Sequence, residues 1–390
     1  MTAAGREPVA VLYKAKSEFD SLNTMVDHWA AALRRKGFRP EIVDLRAADA
    51  VARAVALIRG ERVALFLSLN GFGVPTPGQG PGFYQECAAP LFIHFVDHPA
   101  YHHTTLCSEA PHLVATFPTP SHLRFCRTHI RGNLPLLHLP HAAEPDPVAP
   151  WRERDLPLLL AGSLHEDPEA KRAGWSRYGP VVRDRLEAIL AGHRAAPRRP
   201  LHDIVLEALN RPEPDLEAVR SHFGVVDGYL RSRVRLEFVQ AAAAHRLPLT
   251  VIGRGWDGAV PAGSTVRLEG ERPVSEVFAA MARTRIVLNL LPPYYESHER
   301  PFQAMAHGAV AATVAAPWLV SAVGAESLLA LPPDAAEAAA TAGAALAGDA
   351  ALEARAAAGT TAFLAGHTWD HRLERVLSWI KSVKPGSLSG

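Results

Sequence analysis

No stretch of this 390-residue chain approaches the ~20 consecutive apolar residues that a membrane-spanning helix needs. Membrane contact is therefore expected to be peripheral at most. An excess of one charge is missing too: 41 basic residues stand against 40 acidic ones, a formal net charge of +1. Without a global field the chain is not expected to bind nucleic acid, and only local clusters carry electrostatic information. Cysteine is scarce. Cys87, Cys107 and Cys126 are odd in number and form no CxxC pair, which points to reduced thiols in a cytoplasmic protein rather than a disulfide framework or a zinc knuckle. Residues 1–8 lack the basic-then-apolar layout of a secretory leader and run straight into an apolar strand, again as expected of a cytoplasmic chain. No short-period repeat is present. The remaining composition, 48% hydrophobic and 21% charged, is that of a globular protein long enough for two cores.

Hydrophobic periodicity orders those cores. In the first ~140 residues, apolar strands at Val9–Tyr13, Glu41–Leu45, Val63–Leu67, Leu91–Val96, His112–Phe117 and Leu134–Leu139 alternate with helical patterns. Leu22, Met25, Val26, Trp29, Ala30 and Leu33 share one helical face, and Gly37 ends that helix. Near-continuous apolar strands separated by helices imply a parallel sheet covered on both faces. Residues 140–150 are proline-rich and aperiodic, as in a linker. Alternation restarts at Leu156–Ala161 and continues through Leu247–Ile252, Thr265–Leu268, Ile286–Leu291, Val310–Val314 and Leu328–Leu331. The fold class is thus α/β with two Rossmann-like doubly wound domains, 1–142 and 156–366, joined by a linker at 143–155. Residues 164–224 interrupt the second domain as a polar, helical insertion punctuated by Pro197, Pro200, Pro212 and Pro214. The alanine-rich segment 333–365 is packing helix, and a final helix begins near Thr368 within the terminal segment 367–390.

Chemistry concentrates in the run from Glu296 to Gly308, ESHERPFQAMAHG, which lies between two strands. A polar loop opening a helix offers free backbone N–H groups and the positive end of a helix dipole, a seat for a diphosphate. Ser297, His298, Glu299 and Arg300 occupy that opening, and a guanidinium there matches phosphate oxygens. The bland alternative is an ordinary cap formed by Ser297 or Glu296, with Arg300 solvated. Gly253, Arg254, Gly255 and Trp256 follow a strand. Here glycine lets backbone approach a ligand, Arg254 is placed to reach a phosphate, and Trp256 to wall a base or sugar; the alternative is a tight turn around a half-buried tryptophan. Gly162 and Ser163 form the equivalent loop after the domain's first strand. In the first domain His94, Asp97, His98, His102 and His103 cluster at a strand's C-terminal end, where Asp97 or His98 is placed to act as a general base. The same cluster also suits a metal-dependent hydrolase. Arg231, Arg233 and Arg235, like the basic stretch Arg194, Arg198 and Arg199, could bind phosphate or acidic partners, but a solvated face is the expected reading.

The layout resembles the GT-B glycosyltransferases, and within them the CgeB-like, group 1 type. Ser297, Arg300, Phe302, Gln303, Ala304, Ala306 and Gly308 match a pattern of serine, arginine and Phe-Glu-Ala-x-Ala-x-Gly. The ending His367, Thr368, Trp369, Arg372, Leu373 and the linker residues Leu139, Pro140, His141, Ala142 are similar to the family's. The resemblance implies a nucleotide-diphosphate sugar as donor, an acceptor hydroxyl on a glycan, lipid, protein or small molecule, no cofactor and no metal. It also implies the acceptor approaching from the first domain and a last helix crossing back to that domain. Glu296 is a catalytic candidate, but the related pattern of two glutamates eight apart is not met, since Glu296 lies seven before Gln303 and Tyr295 holds the eighth position. Retention at the anomeric carbon is the family's leaning, whereas a base at Asp97 would favour inversion. Gln303 departs from the pattern, because the family's glutamate there is expected to hold the ribose hydroxyls. Glutamine is a weaker acceptor than the anion, so lower affinity, altered donor preference or a catalytically silent nucleotide-sugar binder are the consequences to consider.

Overall fold

The computed structural model describes residues 7–211, 213 and 215–384. The leader expectation for residues 1–6, the punctuation by Pro212 and Pro214 and the end of the terminal segment lie outside the described residues. The chain divides into two compact units, Met1–Ala142 with Thr368–Gly390, and Ala143–His367.

The first unit is built on six parallel strands: β1 (Val9–Lys14), β2 (Arg39–Asp44), β3 (Val63–Leu69), β4 (Leu91–His94), β5 (Leu113–Phe117) and β6 (Leu136–His138), in spatial order β2-β1-β3-β4-β5-β6. Central strands are buried on both faces, as their unbroken apolar runs require. The helix Ser21–Arg35 buries Met25, Val26, Trp29, Ala30 and Leu33 and gives way to Gly37 at φ +80°, a left-handed conformation that favours glycine. The final helix, Trp369–Val383, packs on this unit and shares its core through Trp369, Leu373, Val376 and Ile380. Its Trp369 ring meets Trp29 at 5.1 Å between centroids, and Asp370 pairs with Arg35 at 2.9 Å. Thr368 holds the N-cap position, but its hydroxyl bonds the His371 ring at 2.7 Å instead of a backbone N–H.

The second unit carries β7 (Leu156–Ala161), β8 (Leu249–Ile252), β9 (Arg267–Leu268), β10 (Thr284–Asn289), β11 (Val310–Thr313) and β12 (Leu328–Ala330), all parallel, in order β12-β11-β10-β7-β8-β9. Strand β10 ends at Asn289, earlier than its apolar run, because Leu290 and Leu291 lead into two prolines that cannot donate to a ladder. The polar segment after β7 folds into the helices Pro168–Ala173, Pro180–Ala195 and Leu201–Leu209. It does not end as a separate insertion. Its last helix, Leu216–Ala244, runs on for 29 residues and is itself the crossover that returns the chain to β8. The alanine-rich stretch forms helices Ala335–Leu346 and Asp349–Gly366, with Ala338, Ala339 and Ala342 against the core.

Candidate active site

In the second unit the C-terminal ends of β7, β8, β10 and β11 gather the polar residues. Asn289 closes β10, buried, with its amide nitrogen donating to the Thr313 hydroxyl at 3.0 Å. Its Oδ1 has no hydrogen-bond partner, and neither has the buried Ser297 hydroxyl eight residues on. Buried polar atoms without partners are rare and costly in native proteins. Asn289, Tyr295, Glu296, Ser297, His298 and Thr313 line a pocket here.

The helix Glu299–Ala306 starts where the sequence places it, but the cap is His298, whose Nδ1 accepts from the Arg300 N–H at 3.3 Å. Pro301 brings no N–H. The helix opening therefore has fewer free backbone donors than the run from Glu296 promises, and side chains must supply most of any anion contact.

Those side chains are Arg300 and, unexpectedly, Arg235. Arg235 stands on the long helix and donates from Nη1 to the Ser163 carbonyl at 2.9 Å. Its guanidinium covers Gly162 so closely that a Cβ there would lie 3.5 Å from Cζ. Burial, joined by the Arg300 and Arg231 charges and opposed by Tyr295 and Asp227, pushes the Arg235 pKa down to about 9. Arg300 is likewise lowered by burial, with Glu299 opposing. The Nε atoms of both are buried without a hydrogen-bond partner. Two cations, the Arg300 charge lowering Arg235, each with an unused Nε donor, form a local demand for an anion. In sequence Arg235 stands with Arg231 and Arg233, where a phosphate contact is the less expected reading beside a solvated face. The available signal was its spacing: it sits among Val234, Leu236, Phe238 and Val239, residues that pack in or against the core.

The glycine loop after β8 does something other than approach a ligand. A Cβ on Gly253 would stand 2.4 Å from the Gly162 carbonyl oxygen, and one on Gly255 would stand 1.9 Å from that of Leu164. The two loops are pressed backbone to backbone, with Arg254 N–H donating to Ser163 Oγ at 3.2 Å and Leu164 N–H to the Arg254 carbonyl at 2.9 Å. Trp256 is only 2% exposed and donates from Nε1 to the Gly162 carbonyl at 2.8 Å. It belongs to the core beneath the loop and presents no free face to a base or sugar, correcting that expectation. The Arg254 side chain is half exposed, 3.8 Å from Glu271. Gln303 is partly buried on the helix; its carbonyl accepts from the His307 ring at 2.7 Å.

In the first unit the histidine cluster disperses. His94 lies inside, its Nδ1 2.8 Å from the Thr116 hydroxyl, with burial holding its pKa well below the imidazole norm. His98 is buried and caps the turn Pro99–His102 by accepting from the Ala100 N–H at 3.1 Å. That bond occupies the Nδ1 lone pair a base would use. His103 turns its Nδ1 to the Ala100 carbonyl. Among the described residues no three His, Cys, Asp or Glu side chains converge to hold a metal ion, so the cluster does not form the hydrolase centre its sequence allows. Asp97 remains exposed, accepting from the Asn70 amide at 2.7 Å with the His102 ring 3.9 Å away.

Residues 231–378, from the Arg235 turn to the last helix, match the model of a family described as glycosyl transferase-like. That segment is similar to a glycosyl transferase-like domain, and the chain has a GT-B fold. Solved glycosyltransferases are similar to it over nearly their whole length. Sucrose-phosphate synthase from Thermosynechococcus elongatus superposes with a TM-score of 0.57 at 12% identity, covering 97% of this chain and 99% of that one. An α-glucosyltransferase in complex with UDP gives 0.54 at 8%, covering 96% and 100%. A glycosyltransferase from Rickettsia africae ESF-5 gives 0.50 at 8%, covering 98% and 100%. At these identities the likeness speaks for the fold. No curated protein matches the sequence. Among the described residues no helix is long and apolar enough to cross a membrane.

Proposed function

We propose that this chain is a glycosyltransferase that uses a nucleotide-diphosphate sugar, and that the diphosphate rests against Arg235, Arg300 and the Ser297 hydroxyl. The carrying observation is a pair of part-buried guanidinium groups, the Arg300 charge lowering the proton affinity of Arg235, each keeping a buried and unpartnered Nε donor. An anion bound there relieves the repulsion and fills those donors, a gain open to few other ligands. In the reaction the bond from the anomeric carbon to the diphosphate oxygen breaks, and a bond to the acceptor's hydroxyl oxygen forms. The electron pair of the broken bond stays on the diphosphate, and the hydroxyl proton leaves to a base. Charge therefore grows on the diphosphate as the sugar departs, and two preorganised cations stabilise it most in the transition state. They supply the positive charge that a divalent cation provides in other phosphate sites, which supports a metal-independent reaction.

Glu296, beside Ser297, is assigned to the transferred sugar. Asp97 is the better candidate than His98 for taking the acceptor proton, because it is exposed and its ionised form is held by the Asn70 amide. Gln303 is assigned to the ribose, with a neutral amide in place of an anion. The acceptor is a hydroxyl-bearing molecule.

A thermal-shift panel of UDP, GDP, ADP, CDP and dTDP with their common sugars tests this reading. The expected result is stabilisation by one nucleotide series, lost in Arg300→Ala. No stabilisation by any member at millimolar concentration would overturn it.

A further inference from the structure

One contact near the donor residues is not explained by phosphate binding. Asp227, in the middle of the long helix, is 3% exposed and accepts two phenol hydroxyls on one oxygen, from Tyr294 at 2.6 Å and from Tyr295 at 2.8 Å. Its other oxygen faces Arg231 Nε at 3.2 Å. The two tyrosine rings stack 5.0 Å apart, and His193, from the helix Pro180–Ala195, meets Tyr294 edge-on at 5.4 Å. Burying a carboxylate is expensive, and a lone purpose of packing would be met better by apolar side chains.

Position supplies a purpose. Asp227, Arg231 and Arg235 recur every four residues and so share one face of the helix. Tyr294 and Tyr295 close the turn at Pro292, directly before Glu296 and Ser297. One helix face thus grips the donor loop at Asp227 and reaches Ser163 with Arg235 two turns later.

We infer that Asp227 is a positioning residue: through Tyr294 and Tyr295 it sets the loop that carries Ser297 in register with Arg235, so that both meet one diphosphate. The helical segment after β7 is then the brace of the donor site, since it supplies His193 and the first turns of the long helix. This inference rests on the proposed diphosphate site.

The test titrates the full chain with pyrophosphate and with UDP by calorimetry, alongside melting of the unliganded protein. Tyr295→Phe keeps the stacked ring and deletes one bond to the carboxylate, and Asp227→Asn weakens both. Each is expected to lower pyrophosphate affinity about tenfold, the effect of a hydrogen bond to a charged group. The melting point of Tyr295→Phe should stay within about 2 °C of the native value. Combined with Arg235→Lys, either change should cost less than the sum of the two separately, as expected for groups acting on one ligand. Native-like affinity in Tyr295→Phe, or strictly additive losses, would overturn the inference while leaving the diphosphate site intact. Failure of the native protein to bind pyrophosphate, UDP or any other nucleoside diphosphate would overturn both. Should Asp227→Asn not fold, Tyr295→Phe and its pairing with Arg235→Lys decide the matter alone.

Discussion

Arg372 donates from Nε to the carbonyl of Pro140 at 2.8 Å, and from Nη2 to that of His141 at the same distance. Residues 232 positions apart are thereby joined at the two places where the chain enters and leaves the first unit. Burial pushes the arginine down to about 10, with Arg375 adding to the effect, and the guanidinium is held by these carbonyl oxygens.

Removing that clasp should be felt in stability. Arg372→Ala leaves at least two buried carbonyls without donors and is expected to cost about 2–4 kcal/mol. Arg372→Lys should recover part of it, since an ammonium can reach one carbonyl but cannot fork. Urea unfolding followed by Trp fluorescence checks both. Unchanged midpoints would remove Arg372 from the structural account.

The arginine pair should trade stability for binding. Arg300→Met removes a part-buried cation whose charge opposes that of Arg235, so the unliganded protein should melt at the same temperature or higher. Nucleoside diphosphate affinity should fall about 10- to 100-fold, the loss of a charge-assisted contact. Differential scanning fluorimetry with and without nucleotide reads both quantities. A lower melting point together with native affinity would show that Arg300 is structural.

The loop contact predicts a contrast between two glycines. Gly255→Ala forces a Cβ to within 1.9 Å of the Leu164 carbonyl oxygen at φ +81°, so the loops must part. The expected cost is about 3 kcal/mol or more. Gly258→Ala has a similar φ of +75° but open space around it, so only backbone strain of about 1 kcal/mol is expected. Thermal melting of the two variants measures the difference.

Acid should loosen the first unit. Burial depresses His141 to about 4, opposed by Asp97, and lowers His94 well below its ordinary value. In the unfolded chain both titrate near pH 6.5. Between about 6.5 and the folded value the unfolded state binds protons that the native state refuses. Stability is therefore full above about pH 6.5 and falls as pH drops toward 4, by about 1.4 kcal/mol per pH unit for each group. His141→Gln should flatten the slope in a pH series of denaturation midpoints; an unaltered slope would count against this assignment.

Much of the fold is legible in the chain itself. Apolar runs of four to seven residues between helical patterns mark the strands, and Gly37, Trp29 and Leu33 mark a helix face and its end before any coordinates are known. This works because strand and helix periods are local properties of the backbone. The helix Glu299–Ala306 is legible for the same reason.

Tertiary structure alone decides which polar residues serve the site. Trp256 reads as a ligand wall and proves to be core; Arg235 reads as solvated and proves to be half of a cationic pair; Gly253 and Gly255 read as room for a ligand and prove to be room for another loop. Residue type and spacing along the chain are the same under either reading. What separates them is burial and the identity of neighbours drawn from β7, β8, β10 and the long helix, and those arise only when the sheet assembles. Sequence determined two parallel α/β layers and a polar helix opening, because those follow from local period and turn chemistry. Folding decided that two guanidinium groups, more than backbone N–H donors, supply the positive charge at the proposed site, because desolvation and charge proximity are three-dimensional quantities.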